Sequence, residues 1–218
     1  MLFEKLKVWL DREPRTGPEN MAIDQWLTEN LGEVPILRLY RWEGDWVSLG
    51  CFQSRGEGRR LFGEEPEYVR RWTGGGIVDH RNDQTYTLVI PRGEDVAQAC
   101  GCERYAKIHG ELARCLRESG IACELAERDS VAKSAACFEK PVTWDLLGAD
   151  GAKLAGAGQR RTRHGLLHQG SVAVSGSALE NFGDFLGSDC SIFESGELGE
   201  WEELAVKYRS EKWLERVL

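Results

Sequence analysis

The residues with the most chemistry to offer are a thiol, an amine and a run of glycines. Cys137 stands in Ser134-Ala135-Ala136-Cys137-Phe138, between turn-like sequence and Pro141, where a loop would carry it within reach of solvent. Lys153 follows the turn residues Asp150-Gly151 on a strand otherwise built from Ala, Leu and Gly. Small neighbours leave open space around a long cation and make a floor for a slender ligand. Taken alone, the same lysine fits an edge strand whose cation reaches water. An ammonium brought beside a thiol favours the thiolate, the form that attacks an acyl carbon. A two-residue turn at 150–151 sets Lys153 opposite Gly148, so the loop bearing Cys137 must fold over to approach the amine.

The second concentration of chemistry is Arg70-Arg71-Trp72-Thr73-Gly74-Gly75-Gly76-Ile77-Val78-Asp79-His80. Three successive glycines let another chain lie on bare backbone and leave amides free to meet an acceptor oxygen. The run also reads as a glycine-rich chain reversal and nothing more. No Gly-Lys-Ser/Thr follows, so phosphate cradling of the P-loop kind has no support. His80 and His168 are imidazoles that can assist a proton transfer, whereas His109, at the edge of a helical stripe, reads as structural. Of the seven cysteines, Cys51, Cys115 and Cys123 read as core. Cys100 and Cys102 lack a paired C-x-x-C spacing, so no metal site is expected.

Elements must position these groups. Leu6 to Leu10 reads as a strand. Thr16-Gly17-Pro18-Glu19 is a capping box with a proline in the first turn, opening a helix that ends near Leu31-Gly32. Ile36 to Trp42 and Trp46 to Phe52 read as strands joined by a hairpin at Glu43-Gly44-Asp45. Residues 53–66 form a loop with room for a short helix. Strands follow at Tyr68-Val69-Arg70 and Thr85 to Ile90, the latter stopped by Pro91. A helix over Glu103 to Ser119 carries Ile108, Leu112, Cys115 and Leu116 on one stripe and ends at Gly120. The later half reads as strands at Val142 to Leu147, Ala152 to Ala157 and Leu166 to Val174. Helices are expected over Leu179 to Phe185 and from Trp201 to Tyr208, extending toward Val217. The interspersion predicts a mixed α/β or α+β fold, taken as one domain over residues 1–218.

With 218 residues, 41% hydrophobic and 29% charged, the chain has the composition of a soluble globular protein. No apolar run approaches a membrane span, and the N-terminus lacks the basic flank and apolar stretch of a secretory signal. The net charge of −8 argues against nucleic acid as a partner. An odd number of cysteines without framework spacing fits reduced thiols and a cytoplasmic location. Arg55, Arg59, Arg60, Arg160, Arg161 and Arg163 are local concentrations of positive charge, either solvated faces or a docking patch for an acidic partner.

Taken together, Arg70 to His80, Gln84-Thr85-Tyr86-Thr87-Leu88, Gly151 to Gln159 and Leu167-His168-Gln169-Gly170-Ser171 resemble the lipoate–protein ligase and octanoyltransferase family. Asn20 to Asp24 and Leu37 to Trp42 resemble its opening helix and strand. The similarity runs in consistent order from about residue 5 to about residue 175, and several ordered blocks are far more specific than any one. The resemblance implies a biotin/lipoate protein ligase-like catalytic domain, α+β, with a mixed, largely antiparallel sheet flanked by helices. It further implies an acyl tunnel lined by Arg70, Arg71, Thr73, Gly74, Gly75, Gly76, His80, Gly156 and Gln159.

Within the family, ligases activate lipoate with ATP, and transferases move octanoyl from acyl carrier protein through a cysteine thioester. Ala135-Ala136-Cys137-Phe138, Pro141 and Trp144 resemble the cysteine loop of the Gram-positive type of transferase. The resemblance therefore implies Cys137 as nucleophile, Lys153 as the amine that activates it, and no cofactor. ATP and Mg belong to the alternative of a ligase core without its accessory domain. A chain ending soon after the catalytic blocks is expected to favour transfer. The implied donor is acyl carrier protein, and the implied acceptor a lipoyl domain or a glycine-cleavage H-type protein. A non-catalytic acyl or lipoyl-domain binding protein is the alternative of another class. Where many relatives carry a histidine, this chain has Gln169, which leaves the base open between His168 and His80.

Overall fold

The computed structural model describes residues 1–127, 129, 137 and 141–217. Apart from Cys137 itself, most of the loop expected around that residue lies outside the described residues.

The chain opens with β1 (Phe3–Arg15) and α1 (Gly17–Glu29). Pro18 sits in the first turn of α1, and the Glu19 carboxylate accepts from the backbone N–H and the hydroxyl of Thr16, closing the helix start. Next come β2 (Ile36–Trp42), β3 (Trp46–Leu49), α2 (Arg55–Phe62), β4 (Glu67–Arg70), β5 (Val78–Asp79) and β6 (Gln84–Pro91). The short α3 (Asp95–Gln98) precedes the long α4 (Gly101–Glu118), which stops at Gly120, whose φ of +82° suits glycine. Then follow β7 (Cys123–Leu125), β8 (Leu146–Gly148), β9 (Lys153–Arg161), β10 (Gly165–Val172), α5 (Phe182–Leu186), β11 (Gly187–Ile192), α6 (Glu202–Arg209) and α7 (Glu211–Leu214).

Eight strands form one mixed sheet in the order β11-β1-β2-β6-β10-β9-β8-β7. The β11–β1 and β1–β2 pairs are parallel and the rest antiparallel. A smaller sheet, β4-β3-β5, stands apart from it. One face of the large sheet carries Leu37, Tyr86, Leu88, Ile90, Ala155 and Leu166 into a core shared with α4 and α5. The other face carries Val89 and Leu167 against Ile23 and Leu27 of α1. None of the described helices is long and apolar enough to cross a membrane.

Several expectations need correction. The hairpin at 43–45 does not form, because β2 belongs to the large sheet and β3 to the small one. The Glu43 N–H bonds the Arg15 carbonyl and the Trp42 indole bonds Thr85, while Trp46 packs against Gly17 of α1, so the two strands diverge. The strand from Val142 shrinks to Leu146–Gly148, since Trp144 takes φ +74° and breaks the extended run. Three edge strands escape the sequence reading: β5 and β7 are very short, and β11, Gly-Ser-Asp-Cys-Ser-Ile, is largely exposed. The final helix divides at Ser210, which is extended and caps α7 with its side chain. Cys123 is only partly buried, and the described residues hold no cluster of three potential metal ligands.

Candidate active site

Lys153 owes its aim to a register shift. At the β8–β9 pairing Leu147 meets Lys153 while Leu146 meets Ala155, so β9 carries an extra residue and Lys153 lies opposite Leu147 instead of Gly148. Such a bulge re-aims the side chain, and the amine comes to rest over Gly156. A Cβ at that position would lie 2.5 Å from the Lys153 Cε and 2.6 Å from Nζ, so only glycine leaves the amine this place. Lys153 is buried, and its Nζ lies 3.2 Å from Cys137 Sγ and 2.6 Å from Asp145 Oδ2. Burial pulls the Lys153 amine down, but the Cys137 sulfur and the Asp145 carboxylate outweigh it and hold the group above its ordinary value. The lysine is therefore an ammonium donating to both partners. The Cys137 N–H donates to the Ile77 carbonyl at 2.8 Å, which pins the thiol to the end of the glycine run.

The glycine run lies directly on β9. A Cβ on Gly158 would sit 2.3 Å from the Gly74 carbonyl oxygen, so the two backbones touch because both positions lack side chains. Arg71 holds the run from behind, donating to the Gly74 and Gly76 carbonyls and to the carbonyl and hydroxyl of Ser48. Burial pulls the Arg71 guanidinium down, and the Cys137 sulfur is the first group opposing that pull. Thr73 donates to the Gln169 side-chain oxygen, and the Gln169 amide donates to Asp24, strapping the run to α1 across β10.

Between these parts lies a slot whose walls include Cys137, Gly156, Gly158, Val78, Trp42 and His80. Its free volume is about 20 Å³, room for a water molecule or two. The open tunnel expected here is not present among the described residues, whose side chains close on the slot. His80 stacks on Trp42 with ring centroids 4.0 Å apart. Its Nδ1 lies 2.7 Å from Asp83 Oδ2 and its Nε2 2.5 Å from Ser48 Oγ. An ionised Asp83 carboxylate only accepts, so the contact at Nδ1 calls for the imidazole hydrogen there and turns Nε2 to the Ser48 hydroxyl, which also accepts from Arg71. Asp83 Oδ2 also accepts from Ser171, while its buried Oδ1 has no partner among the described residues.

The structure thus gathers Cys137, Lys153, Arg71, Thr73, Gly74, Gly75, Gly76, His80 and Gly156 around one slot, and leaves three expected residues elsewhere. Arg70 is fully buried and spends its guanidinium on the carbonyls of Leu214, Gly50 and Gln53. His168 and Gln159 face the opposite side of the sheet. His168 there bonds Gln159 and Tyr86 and packs on His109, and Gln159 accepts from Arg104. Burial, with His109 and Arg104 nearby, holds His168 well below the usual imidazole range. Sequence reading missed Asp145, Ser48 and Asp83, none of which sits in a matched block with a spacing that advertises its role. Of the arginines expected to form a patch, Arg55 pairs with Glu211 and Glu215, Arg59 with Glu64 and Arg60 with Glu57.

Comparison with known proteins bears on this geometry. The chain is 33% identical over 174 residues to octanoyltransferase LipM of Oceanobacillus iheyensis, an alignment covering 77% of this chain and 63% of that protein. It is 35% identical over 178 residues to octanoyltransferase LipM of Carboxydothermus hydrogenoformans, covering 78% and 66% respectively. The chain therefore spans less than two thirds of the length of these curated relatives. A bi-partite lipoate protein ligase of Thermoplasma acidophilum, solved in a study with its E2 lipoyl domain, superposes with a TM-score of 0.71 at 18% identity, covering 99% of this chain and 98% of that one. That likeness shows a shared α+β fold. Residues 16–197 match the model of the lipoyl protein ligase A/B catalytic domain, and the chain belongs to that family.

Proposed function

We propose that this chain is an octanoyltransferase that carries its acyl group on Cys137. The observation that carries the reading is the Lys153 ammonium 3.2 Å from the Cys137 sulfur, above a glycine-floored slot. The likeness to octanoyltransferases LipM over most of this chain supports the same reaction class.

In the first half-reaction the Cys137 thiolate attacks the carbonyl of an octanoyl thioester on acyl carrier protein. The new S–C bond forms as the carrier's S–C bond breaks, and the carrier leaves as a thiol after taking a proton. The Lys153 ammonium stands beside the reacting sulfur and can stabilise the oxyanion, whereas the Cys137 amide is already committed to Ile77. Exchange of one thioester for another needs no nucleotide, so no cofactor is assigned. In the second half-reaction an unprotonated lysine amine of a lipoyl-type acceptor domain attacks the acyl-Cys137 carbonyl. The N–C bond forms, the S–C bond breaks, and the surplus amine proton passes to the departing sulfur. Amide formation from a thioester is downhill. Within the slot, His80 is the base positioned to help strip that amine, once Ser48 releases its Nε2.

Intact-mass measurement after mixing the protein with octanoyl-carrier and no nucleotide tests the reading. An octanoyl adduct that disappears in Cys137→Ser supports it. A strict requirement for ATP and free lipoate would replace it with a ligase, and turnover with neither donor would leave a binding protein.

A further inference from the structure

A second cavity, of about 360 Å³, opens where β9 leaves the slot, and its walls include Trp72, Arg160, Lys207, Lys212, Trp213 and Arg216. In a chain of net −8 it brings four cations together. Among the described residues none of the four has a carboxylate within ion-pair distance, although Arg15, Arg38, Arg55 and Arg81 all do. Three of them, Arg160, Lys207 and Arg216, set their positive heads over aromatic rings instead. Lys207 Nζ lies 4.0 Å from the Trp213 ring centre and 4.7 Å from that of Tyr208, and donates to Gln25. Arg160 Cζ lies 4.6 Å over Trp72 and Arg216 Cζ 5.5 Å over Trp213. Ring faces orient cations without neutralising them, so the cavity keeps its positive potential. Burial draws Lys207 down to about 8; Glu29 opposes this, and the charges of Arg160 and Arg216 add to it. A bound anion would relieve that crowding.

The cavity shares a sheet face with the slot. Gly156 and Gly158 contact Lys153 and the glycine run, and Arg160, next in that alternation, donates to the Trp72 carbonyl. Arg160 lies roughly 13 Å along β9 from Gly156 at the rise of an extended strand. A pantetheine-type arm spans such a distance between its phosphate and its sulfur.

We infer that this cavity binds the phosphate ester of the acyl donor's pantetheine arm and so delivers the thioester end to Cys137. The inference rests on the transfer reading above for its choice of donor. Phosphate suits guanidinium and ammonium donors converging from several elements, here β9, α6, α7 and the segment after it.

The test uses the full chain carrying Cys137→Ser, so that binding is read without acylation. Tryptophan fluorescence, drawing on Trp72 and Trp213, would follow titration with 4′-phosphopantetheine, with unphosphorylated pantetheine, with inorganic phosphate and with AMP. The expected result is that 4′-phosphopantetheine binds at least about tenfold more tightly than the other three. Adding Lys212→Gln and Arg216→Gln, both exposed positions, should erase that advantage while leaving the thermal unfolding midpoint in place. Equal affinity for pantetheine, tighter binding of AMP or phosphate, or indifference to the two glutamines overturns the assignment. The outcome separates from that of the parent reading. If the glutamine pair in an otherwise native chain takes octanoyl from the carrier at the native rate, the phosphate site is wrong and the transfer reading stands. If phosphopantetheine binds as expected but Cys137 never acquires octanoyl, the site stands and the transfer reading falls.

Discussion

His168 and Gln169 are neighbours in the chain and stand on opposite faces of the large sheet. Behind the sheet His168 joins His109, Tyr86, Tyr105 and Gln159 in a buried polar cluster beside the main apolar core. In front, Gln169 reaches Thr73 and Asp24 across the floor of the slot. Both faces are rich in titratable groups, yet only the front offers a nucleophile, a cation and a surface open to change. In the rear cluster His168 bonds Tyr86 and Gln159 and His109 Nδ1 bonds the Trp144 carbonyl, while His109 Nε2 has no partner among the described residues. Burial holds both histidines down. Perturbed titration by itself therefore does not mark a reactive site here. What separates the two faces is a thiol and an amine held in contact beside a backbone stripped of side chains.

Substitutions can sharpen or break that contrast. The largest effect belongs to the front: Cys137→Ala should lower octanoyl transfer by at least about 10³-fold, measured as acceptor-domain modification. Lys153→Met and Gly156→Ala should each lower the rate of Cys137 acylation by about 10²-fold, the first by removing the ammonium and the second by occupying its place. A Gly156→Ala enzyme of normal rate would mean that the amine need not lie where the structure has it. On the rear face, His168→Ala should leave the rate per folded molecule within about threefold, since sheet and core separate it from Cys137. Its cost is stability: the Gln159 amide and Tyr86 hydroxyl lose their partner, roughly 1–3 kcal/mol for each group left unsatisfied. A large loss of rate without loss of stability would restore His168 as the base.

The smallest expected effect is a pH dependence that also belongs to the rear. Burial lowers the native values of His109 and His168, so the unfolded chain takes up protons that the native state refuses as pH falls through about 6.5. Stability is then full above about pH 7 and is lost toward acid, by at most about 1.4 kcal/mol per unit for each histidine. Thermal melts between pH 7 and 5 should show this slope, and it should flatten in His168→Ala relative to the native chain.

Much of this molecule was legible in its sequence. Periodicity and capping located α1, α4, β2, β6, β9 and β10, because each buries a stripe or face long enough to leave a pattern. The glycine run, Cys137 and Lys153 announced themselves by residue type and by ordered resemblance. The short strands β5 and β7 and the polar edge strand β11 left none, since a few residues of edge pairing need no hydrophobic alternation.

Residue type settled which groups could react, since a thiol, an ammonium and three glycines have that chemistry wherever they are placed. Only tertiary structure decided which of them meet. One extra residue in the β8–β9 ladder swings Lys153 over Gly156, a single step of strand alternation sends His168 behind the sheet, and α6 and α7 bring Lys207 and Lys212 to Arg160. Those outcomes depend on pairing between distant segments, where a shift of one residue turns a side chain to the other face, and no local pattern in the chain records it.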